Sequence, residues 1–589
     1  MNVRSVWAAL SVSLVFIFTN AAAQEPKQLS TFERPLVDYR GKEWNVSDFA
    51  EVDYLVIAFL GTECPLAKLY SRRLQTLADK YSANKVAFLA IDPNHQDSLQ
   101  EMEAFARRQQ MTIPFVKDLE AKVAARMGAT RTPEIFVLDS ERKIQYQGRV
   151  DDQYGVGYTR NEPTVRELES ALDELLAGKP VSIANTEAVG CLIGRSNESV
   201  SNNEVNYVTH VAPILNEHCV KCHREGQIGP FTLDNFDNAA AWRDMIGEVI
   251  NDGRMPPWHA NPDHGSFAND CSLSREQIEV LNTWIANGSP FGEGTAPKSP
   301  AFEDGWQLPT EPEFKCFVTK KPHDVPAMGK VEYQYFVHDP KFEEDKWIRA
   351  AELRPGNLEV VHHILCFILP PGEDDLGEGL DGFLVGYVPG MLPPQPVEGY
   401  AKKVPAGSRF VFQVHYTPNG RDTTDQSQLG LIFADESEVQ YEVVTTCAVN
   451  PRIEIPPRSS DHEVKAINRH QLGDWKLLSL MPHMHLRGKS FRYEAIYPDG
   501  KKEVLLDVPQ FDFNWQTSYQ LENPKTLPRD TRIVCTAVYD NSEGNLSNPD
   551  PEKTVSWGDQ TWEEMMIGYF DVAIPKGEST EMKSVRRRR

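Results

Sequence analysis

The chain has 589 residues and a formal net charge of −24, from 61 basic and 85 acidic side chains. A single hydrophobic core stops growing at roughly 250 to 300 residues, so several domains are expected. The acidic balance argues against a sequence-independent phosphate-binding role, which requires a basic surface, and nucleic acid is not an expected partner. The run of arginines at 586–589 could face an anionic surface, but short charged tails are usually just solvated, and no role is assigned to it.

Residues 1–23 have the pattern of a secretory signal peptide. They contain a lone basic residue, Arg4, the apolar run Val6–Phe18, and three small residues before Gln24. The apolar run is shorter than the roughly 20 residues that cross a bilayer, and no later segment supplies such a run. The mature protein is therefore expected to be exported, either periplasmic or secreted, with no integral membrane segment after signal cleavage.

Three continuous apolar runs define the first predicted domain, residues 24–185. They are Tyr54–Gly61, Val86–Pro93 and Glu134–Asp139. Such runs are typical of strands that are buried on both faces. Helical periodicity lies between and after them, and this alternation predicts a largely parallel α/β sheet.

Cys64 follows the first run and opens a helical stretch, and Thr132-Pro133 precedes the third run. These features resemble the thioredoxin and peroxiredoxin superfamily, which implies a thioredoxin-like fold with a cis-proline facing Cys64. A helix N-terminus lowers the pKa of a thiol, so Cys64 is a candidate redox thiol. The motif lacks the second cysteine of a dithiol oxidoreductase. Cys64 is therefore either a peroxidatic or mixed-disulfide thiol, with Cys191 as a candidate resolving partner, or part of a redox-inactive docking module.

A haem attachment motif marks the next predicted domain, residues 186–297. Cys219 and Cys222 are spaced to reach the two vinyl groups of one haem c, and His223 is placed beneath the iron. Met255 lies in a Met-Pro-Pro segment, and Leu273–Gly288 is predicted to be a terminal helix. This set resembles the class I cytochromes c, which implies an all-α domain.

By that resemblance, His223 and Met255 are the two axial ligands of the haem iron. Such ligation favours electron transfer and leaves no position for oxygen. The alternative makes Met255 a core residue and places His259 or His264 as the sixth ligand. The remaining cysteines of the nine allow too many disulfide pairings for the sequence to choose one.

From about Cys316 onward, short β-like runs broken by proline and glycine predict two antiparallel β-sandwiches, residues 298–440 and 441–589. Histidines two apart in a strand, such as His483 and His485, share a face and can chelate one ion. The adjacent His362 and His363 can do so only at a strand end or bulge, with a third ligand from elsewhere.

His415 is the candidate third ligand of that adjacent pair. Imidazoles combined with a thioether suit copper, which points to a methionine near the C-terminus. Met565, directly after Glu564, is preferred over Met566, which would face the opposite side of a strand.

The ordered set of His-His, His, His-x-His and Glu-Met resembles the copper type II ascorbate-dependent monooxygenases, the peptidylglycine α-hydroxylating and dopamine β-monooxygenases, over roughly residues 310 to 575. The resemblance implies two copper ions held by two sandwiches that face each other across an open, solvent-filled cleft. The ligands of the electron-storing copper would be His362, His363 and His415. The ligands of the oxygen-binding copper would be His483, His485 and Met565.

Substrate recognition departs from that family. Its peptide-amidating members hold a substrate carboxylate with an arginine, an asparagine and a tyrosine, at positions that here are Met481, Ile567 and Tyr569. Without the cationic partner, a glycine-extended peptide acid loses its charge-assisted anchor, so no peptide amidation is expected.

Taken together, the sequence predicts an exported copper monooxygenase that hydroxylates a C–H bond of a small-molecule substrate with O₂. The attached c-type haem would supply electrons taken from an external donor, either ascorbate or a redox protein. One alternative is a non-catalytic copper and haem electron-transfer protein. Another is a thiol peroxidase that uses Cys64.

Overall fold

The structure of the protein is a computed structural model that describes residues 29, 31–195, 204–302, 305–329, 331–374, 376, 382–468 and 473–578. The predicted signal peptide and the closing arginine run lie outside the described residues. Within those residues, every helix is too short or too polar to span a lipid bilayer.

The N-terminal region holds eleven strands and four α-helices among its described residues. The strands are β1 (Leu36–Asp38), β2 (Glu43–Trp44), β3 (Tyr54–Phe59), β4 (Val86–Asp92), β5 (Phe115–Lys117), β6 (Arg131–Thr132), β7 (Glu134–Leu138), β8 (Ile144–Gly148), β9 (Tyr154–Gly155), β10 (Tyr158–Thr159) and β11 (Cys191–Leu192). The helices are α1 (Pro65–Tyr81), α2 (Leu99–Arg108), α3 (Lys122–Met127) and α4 (Glu167–Leu176).

Seven of these strands form one sheet in the order β2-β1-β5-β4-β3-β7-β8. The three predicted apolar runs form β3, β4 and β7, and nearly every residue of these strands is buried. The expectation of a largely parallel sheet was wrong, because only the β3–β4 and β4–β5 pairings are parallel. The short turn after β7 can only return the chain as an antiparallel hairpin, and β8 was not recognised in the sequence.

A helical segment follows. A π-helical turn at Tyr207–Val211 leads into α5 (Ala212–His218), and α6 (Phe236–Ala241), α7 (Arg243–Asn251) and α8 (Arg275–Ala286) come after it. Ser274 and Gln277 form a capping box that starts α8. Trp242, between α6 and α7, and Trp284 of α8 are buried and belong to the same hydrophobic core as Leu74 of α1. The helices therefore pack directly onto the N-terminal region.

From residue 305 onward, the described residues contain strands and no helix. The strands are β12 (Phe314–Phe317), β13 (His323–Val325), β14 (Gln334–His338), β15 (Lys346–Arg354), β16 (Val361–Leu369), β17 (Phe383–Tyr387), β18 (Tyr400–Val404), β19 (Arg409–Tyr416), β20 (Thr423–Asp425), β21 (Gln428–Ala434), β22 (Tyr441–Val449), β23 (Glu454–Ile455), β24 (His462–Ile467), β25 (Trp475–His483), β26 (Gly488–Ile496), β27 (Lys502–Val508), β28 (Tyr519–Leu527), β29 (Arg532–Tyr539), β30 (Val555–Ser556) and β31 (Ile567–Pro575).

Two hydrophobic cores divide these strands into two sandwiches. The first core lies between β12-β21-β15-β18 and the sheet β14-β19-β16-β17, and the second lies between β22-β31-β25-β28 and the sheet β24-β29-β26-β27. A short parallel pairing of β18 with β22 joins the first halves into one continuous eight-stranded sheet. The two sandwiches are thus connected through the backbone as well as through side chains.

Candidate functional site

A β-bulge brings three histidines together in the first sandwich. In the pairing of β16 with β19, Val361 lies opposite Tyr416 and His363 lies opposite His415, so His362 is the extra residue. The ring centroids of the three histidines are 5.0 to 5.4 Å apart. One ring nitrogen from each lies within 4.8 Å of the other two. We call these residues the first histidine group.

The surroundings keep this group neutral. Burial lowers the pKa of His362 to about 4 and lowers those of His363 and His415 well below the usual range. Nε2 of His362 and Nδ1 of His415 are buried and have no hydrogen-bond partner among the described atoms. A cluster of neutral imidazoles with unshared ring nitrogens is a suitable donor set for copper or zinc.

A second group forms in the second sandwich, where β25 ends at His483. The rings of His483 and His485 are 5.2 Å apart and nearly perpendicular. Nδ1 of His483 lies 2.5 Å from Oε1 of Gln516, and Nδ1 of His485 lies 3.2 Å from the carbonyl oxygen of Glu563. Nε2 of His485 is buried without a partner in the described structure, and burial lowers the pKa of this ring to about 3.

The two candidate methionines point to opposite faces, as the sequence predicts. Met566 belongs to the core of the second sandwich, whereas Met565 clusters with Ile567 and Tyr569 on the other face. Ile567 is paired directly with His483, so Met565 lies on the same face as that histidine. We call His483, His485 and Met565 the second histidine group.

Glu564 fixes the backbone of this group, and the sequence analysis missed that role. Its side chain is fully buried and accepts hydrogen bonds from the backbone N–H groups of His485, at 2.8 Å, and Arg487, at 2.7 Å. Glu564 directly precedes Met565, so its carboxylate ties the turn after β25 to the segment that carries the methionine. The acidic residue beside the methionine was visible in the sequence, but its partner N–H groups were not.

Aromatic rings pack against the histidines of both groups. Phe513 stacks on His362 with the ring centroids 5.5 Å apart, and its centroid is 6.2 Å from that of His485. Tyr333 is buried and packs edge-on against His363 and His415. Phe513 therefore contacts both groups, and together with His362 and His415 it also lines the large cavity described next.

The CxxCH motif lies on a cavity of about 1480 Å³, which we call the central cavity. Cys219, Cys222, His223 and Met255 all line it. Nδ1 of His223 donates to the carbonyl oxygen of Phe231 at 3.0 Å, which leaves Nε2 as the ligand atom. Drug-sized ligand sites span roughly 300 to 1,000 Å³, so the cavity is large enough for a haem.

The alternative sixth ligands differ in position. His259 also lines the central cavity, whereas His264 is not among its lining residues. Cys271 lines the cavity as well and was not singled out in the sequence, because its spacing fits no motif. The residues present therefore fit a haem held by Cys219, Cys222 and His223, with Met255 and His259 both within the cavity.

The central cavity extends to two other predicted sites. Cys191 is among its lining residues, and so are His362, His415 and Phe513. A Cβ atom on Gly390, in the loop after β17, would lie 3.5 Å from the Sγ atom of Cys222. The haem motif therefore lies directly against the first sandwich.

Cys64 precedes α1, and its thiol donates to the carbonyl oxygen of Thr132 at 2.9 Å. The Thr132-Pro133 peptide bond is cis, as the resemblance implies. The side chain of Cys191 is hydrogen-bonded to that of Cys64, so the predicted partner is in place.

Residues 27–147 match the AhpC/TSA family. They form a thioredoxin-like domain, and the match indicates oxidoreductase chemistry in general. No curated protein matches the chain. Several solved structures are similar to part of the chain. A hypothetical protein from Sinorhizobium meliloti 1021 is 28% identical, covers 30% of this chain and 96% of its own, and has a TM-score of 0.28.

Two further solved structures are also similar to part of the chain. An uncharacterized conserved protein from Geobacillus kaustophilus is 28% identical, with 30% of this chain and 93% of that one covered and a TM-score of 0.27. A peroxidoxin from Mycobacterium tuberculosis is 18% identical, with coverages of 26% and 94% and a TM-score of 0.20.

Proposed function

We propose that the chain is a copper-dependent monooxygenase whose c-type haem delivers electrons to the first histidine group. One observation carries the proposal: the CxxCH motif and two of the three clustered histidines line the same cavity. Bound copper would supply the one-electron steps and the oxygen activation that C–H hydroxylation requires. An external electron donor, either ascorbate or a redox protein, would reduce the haem.

The chain's own residues prepare both groups for metal. Burial keeps the imidazoles of the first group unprotonated, and the bulge in β16 turns His362 and His363 toward His415. In the second group, Gln516 and the carbonyl oxygen of Glu563 hold Nδ1 of each ring, which directs the Nε2 atoms away from these contacts. The fixed orientation of the rings is what a metal site needs before the ion arrives.

The apolar surroundings of Met565 favour a substrate that is uncharged where it would contact this group. Met481, Ile567 and Tyr569, which occupy the carboxylate-binding positions of the amidating enzymes, pack in one cluster with Met565. Met481, at the position of the arginine, carries no charge that could pair with an acidic peptide terminus. The prediction that the protein does not amidate peptides therefore remains, and turnover of a glycine-extended peptide at ordinary rates would contradict it.

The proposal is tested first by the composition of the purified full chain. We expect two copper ions by elemental analysis and one covalent haem by absorption spectroscopy after denaturation. Zinc in place of copper, or the absence of copper, would overturn the monooxygenase proposal. As a control for the haem, the Cys222→Ser variant should lose part or all of the covalent attachment while copper is retained.

Electron delivery is tested by rapid mixing. The reduced haem should reoxidise when copper and O₂ are both present, and a haem that stays reduced under these conditions would contradict electron delivery. Changing Met255 to Ala should remove the sulfur-to-iron absorption band of the oxidised protein. If that band survives, Met255 is not the ligand, and the His259→Ala variant then tests the alternative.

A non-catalytic electron-transfer protein is a second candidate, favoured by the aromatic packing around the two groups. Tyr333 packs edge-on against His363, and Phe513 stacks on His362 and also contacts His485. Reductant-dependent O₂ consumption by the copper-loaded protein separates the candidates. Haem oxidation without sustained O₂ uptake in the presence of excess ascorbate supports the electron-transfer function.

A further inference from the structure

The loop that carries Cys191 is held against the motif cysteine of the AhpC/TSA-like domain. Strand β11 pairs with β6 so that Cys191 lies opposite Thr132, whose carbonyl oxygen accepts the hydrogen bond from Cys64. The side chains of Cys64 and Cys191 are also hydrogen-bonded to each other. Two thiols from segments more than a hundred residues apart therefore meet beside one peptide group.

Specific contacts maintain this close approach. Gly190 has a φ of +153°, and a Cβ atom there would lie 2.0 Å from the carbonyl oxygen of Thr132. The guanidinium of Arg131 donates to the carbonyl oxygen of Gly190 at 2.7 Å and forms an ion pair with Glu248 of α7, also at 2.7 Å. The position of Cys191 is thus determined jointly by the AhpC/TSA-like domain and the helical segment.

The two sulfur atoms differ in access and in acidity. Cys64 is 0% exposed, whereas Cys191 is 8% exposed and lines the central cavity. Burial works to raise the pKa of Cys64, but hydrogen bonds from the Cys191 side chain and from the backbone N–H groups of Cys191 and Ala67 lower it overall. The pKa of Cys191 is raised, first by its hydrogen bond to Cys64 and then by burial.

We propose that Cys64 and Cys191 form a dithiol–disulfide redox centre in which Cys191 exchanges with thiols or disulfides that enter the central cavity, and Cys64 is the internal nucleophile. This assignment reverses the roles implied by the family motif, where the cysteine before the helix would meet the external partner. It goes beyond the proposed monooxygenase function and does not depend on copper.

The exchange with an external disulfide RSSR balances as follows. The sulfur of Cys191 attacks one sulfur of RSSR, which forms a mixed disulfide on Cys191 and releases the first thiolate, and the Cys191 proton goes to that thiolate. Cys64 then loses its proton to solvent, and its thiolate attacks Sγ of Cys191 and displaces the second thiolate, which takes a proton from solvent. Two protein thiols are oxidised to one disulfide, and RSSR is reduced to two thiols.

The reverse direction explains why the buried cysteine has the more acidic thiol. An incoming thiolate attacks the accessible sulfur of Cys191, and Cys64 leaves. A thiol with a lower pKa is the better leaving group in such exchange, so the environment of Cys64 favours reduction through Cys191.

The test uses oxidised glutathione on the folded full chain, with peptide mapping by mass spectrometry to locate each modification. In the wild type we expect a Cys64–Cys191 disulfide and the release of two thiols for each glutathione disulfide consumed. In the Cys64→Ser variant the reaction should stop at a glutathione adduct on Cys191. In the Cys191→Ser variant, Cys64 should be modified at least about tenfold more slowly, and at an ordinary rate only after unfolding.

Cys271→Ser is the matched control, because this cysteine also lines the central cavity and its loss should leave the Cys64–Cys191 disulfide unchanged. If either active-site variant fails to fold, a time course on the wild type still decides, since the transient adduct should form on Cys191. A glutathione adduct that forms first on Cys64, or oxidised wild type in which both cysteines remain alkylatable, would overturn the proposal.

Discussion

The two histidine groups reach similar local chemistry by different routes. The first takes all three residues from neighbouring strands of one sheet, with a bulge supplying the extra side chain. The second uses two histidines at the end of β25 and a methionine just before β31, and a buried glutamate fixes the backbone between them. Strand register determines the geometry of the first group. The geometry of the second group depends on a turn whose backbone is held by the Glu564 carboxylate.

The two groups also differ in whether they lie at the central cavity. His362 and His415 line the central cavity together with the haem motif, whereas neither His483 nor His485 is among its lining residues. Phe513 contacts both groups and so lies between the cavity side and the buried side. Under the proposed function, the first group would receive electrons at the cavity, and the second group would be where the substrate is oxidised.

The largest expected effects come from removing one ligand of each group. His363→Ala should lower the copper content from two ions to one and slow haem reoxidation, because the acceptor next to the cavity is lost. His485→Ala should also remove one copper, yet a single fast phase of haem reoxidation should remain. Elemental analysis and stopped-flow absorption measure both quantities.

The matched controls are His338→Ala in the first sandwich, which is paired with Phe410 and lies edge-on to Phe314, and His462→Ala in the second, on β24. Both controls should keep full copper. Identical stopped-flow traces for His363→Ala and His485→Ala would break the functional distinction between the groups.

A pair of adjacent substitutions sharpens the assignment of the methionine. Met565→Leu should weaken copper binding at the second group by at least about tenfold, because the thioether is lost while the side-chain volume is nearly kept. Met566→Leu, in the core, should leave copper binding unchanged and lower the free energy of unfolding by less than about 1.5 kcal/mol. Copper titration and chemical denaturation of both variants provide the readout, and a reversed pattern would make Met566 the ligand.

The sequence predicted much of this architecture because the signals were local. Buried strands such as β3 and β4 are apolar throughout, and the CxxCH motif carries its geometry in its spacing. Adjacent histidines in a strand required a bulge, and the register between β16 and β19 has one there. The prediction that Met565 and Met566 lie on opposite faces followed from the alternation of side chains along a strand.

Other features depend on contacts between distant segments, which no local pattern records. Phe513 and Gln516 reach the histidines from the loop between β27 and β28, and Tyr333 reaches them from the residue before β14. Nothing in their own neighbourhoods marks them. The sequence analysis found β7 but not that it runs antiparallel to β3, and it missed β1 and β2 for a related reason. Short half-exposed strands such as β2 have too few residues to show a period.

A smaller effect is expected at the anchor that distinguishes the second group. Glu564→Gln keeps one acceptor for a backbone N–H but turns an amide NH₂ toward the other, so one buried N–H loses its partner. The free energy of unfolding should fall by about 1 to 3 kcal/mol. Copper affinity at the second group should fall by about 10- to 100-fold, as for other residues that orient ligands.

Glu563→Gln is the control for this substitution, because its side chain accepts from the backbone N–H of Gln560 and not from the histidine turn. Calorimetry of copper binding should separate the two variants. A loss at the first group as well would show that the two groups are not structurally independent.

The smallest effect is expected at the ring that the two groups share. Phe513→Leu removes the stack on His362 and the contact with His485, and such aromatic contacts are worth about 0.5 to 1.5 kcal/mol each beyond buried area. Both coppers should be retained, because neither group takes a ligand from this residue. Phe511→Leu, whose ring packs near Gly488 instead, controls for the loss of a neighbouring aromatic side chain.

If the role of Phe513 is only to pack between the two groups, the Phe513→Leu variant should be less stable and its haem should reoxidise at the wild-type rate. A slowing of reoxidation in Phe513→Leu alone would mean that the first group depends on this ring for its electron-accepting geometry, and the division into two independently built sites would then have to be revised.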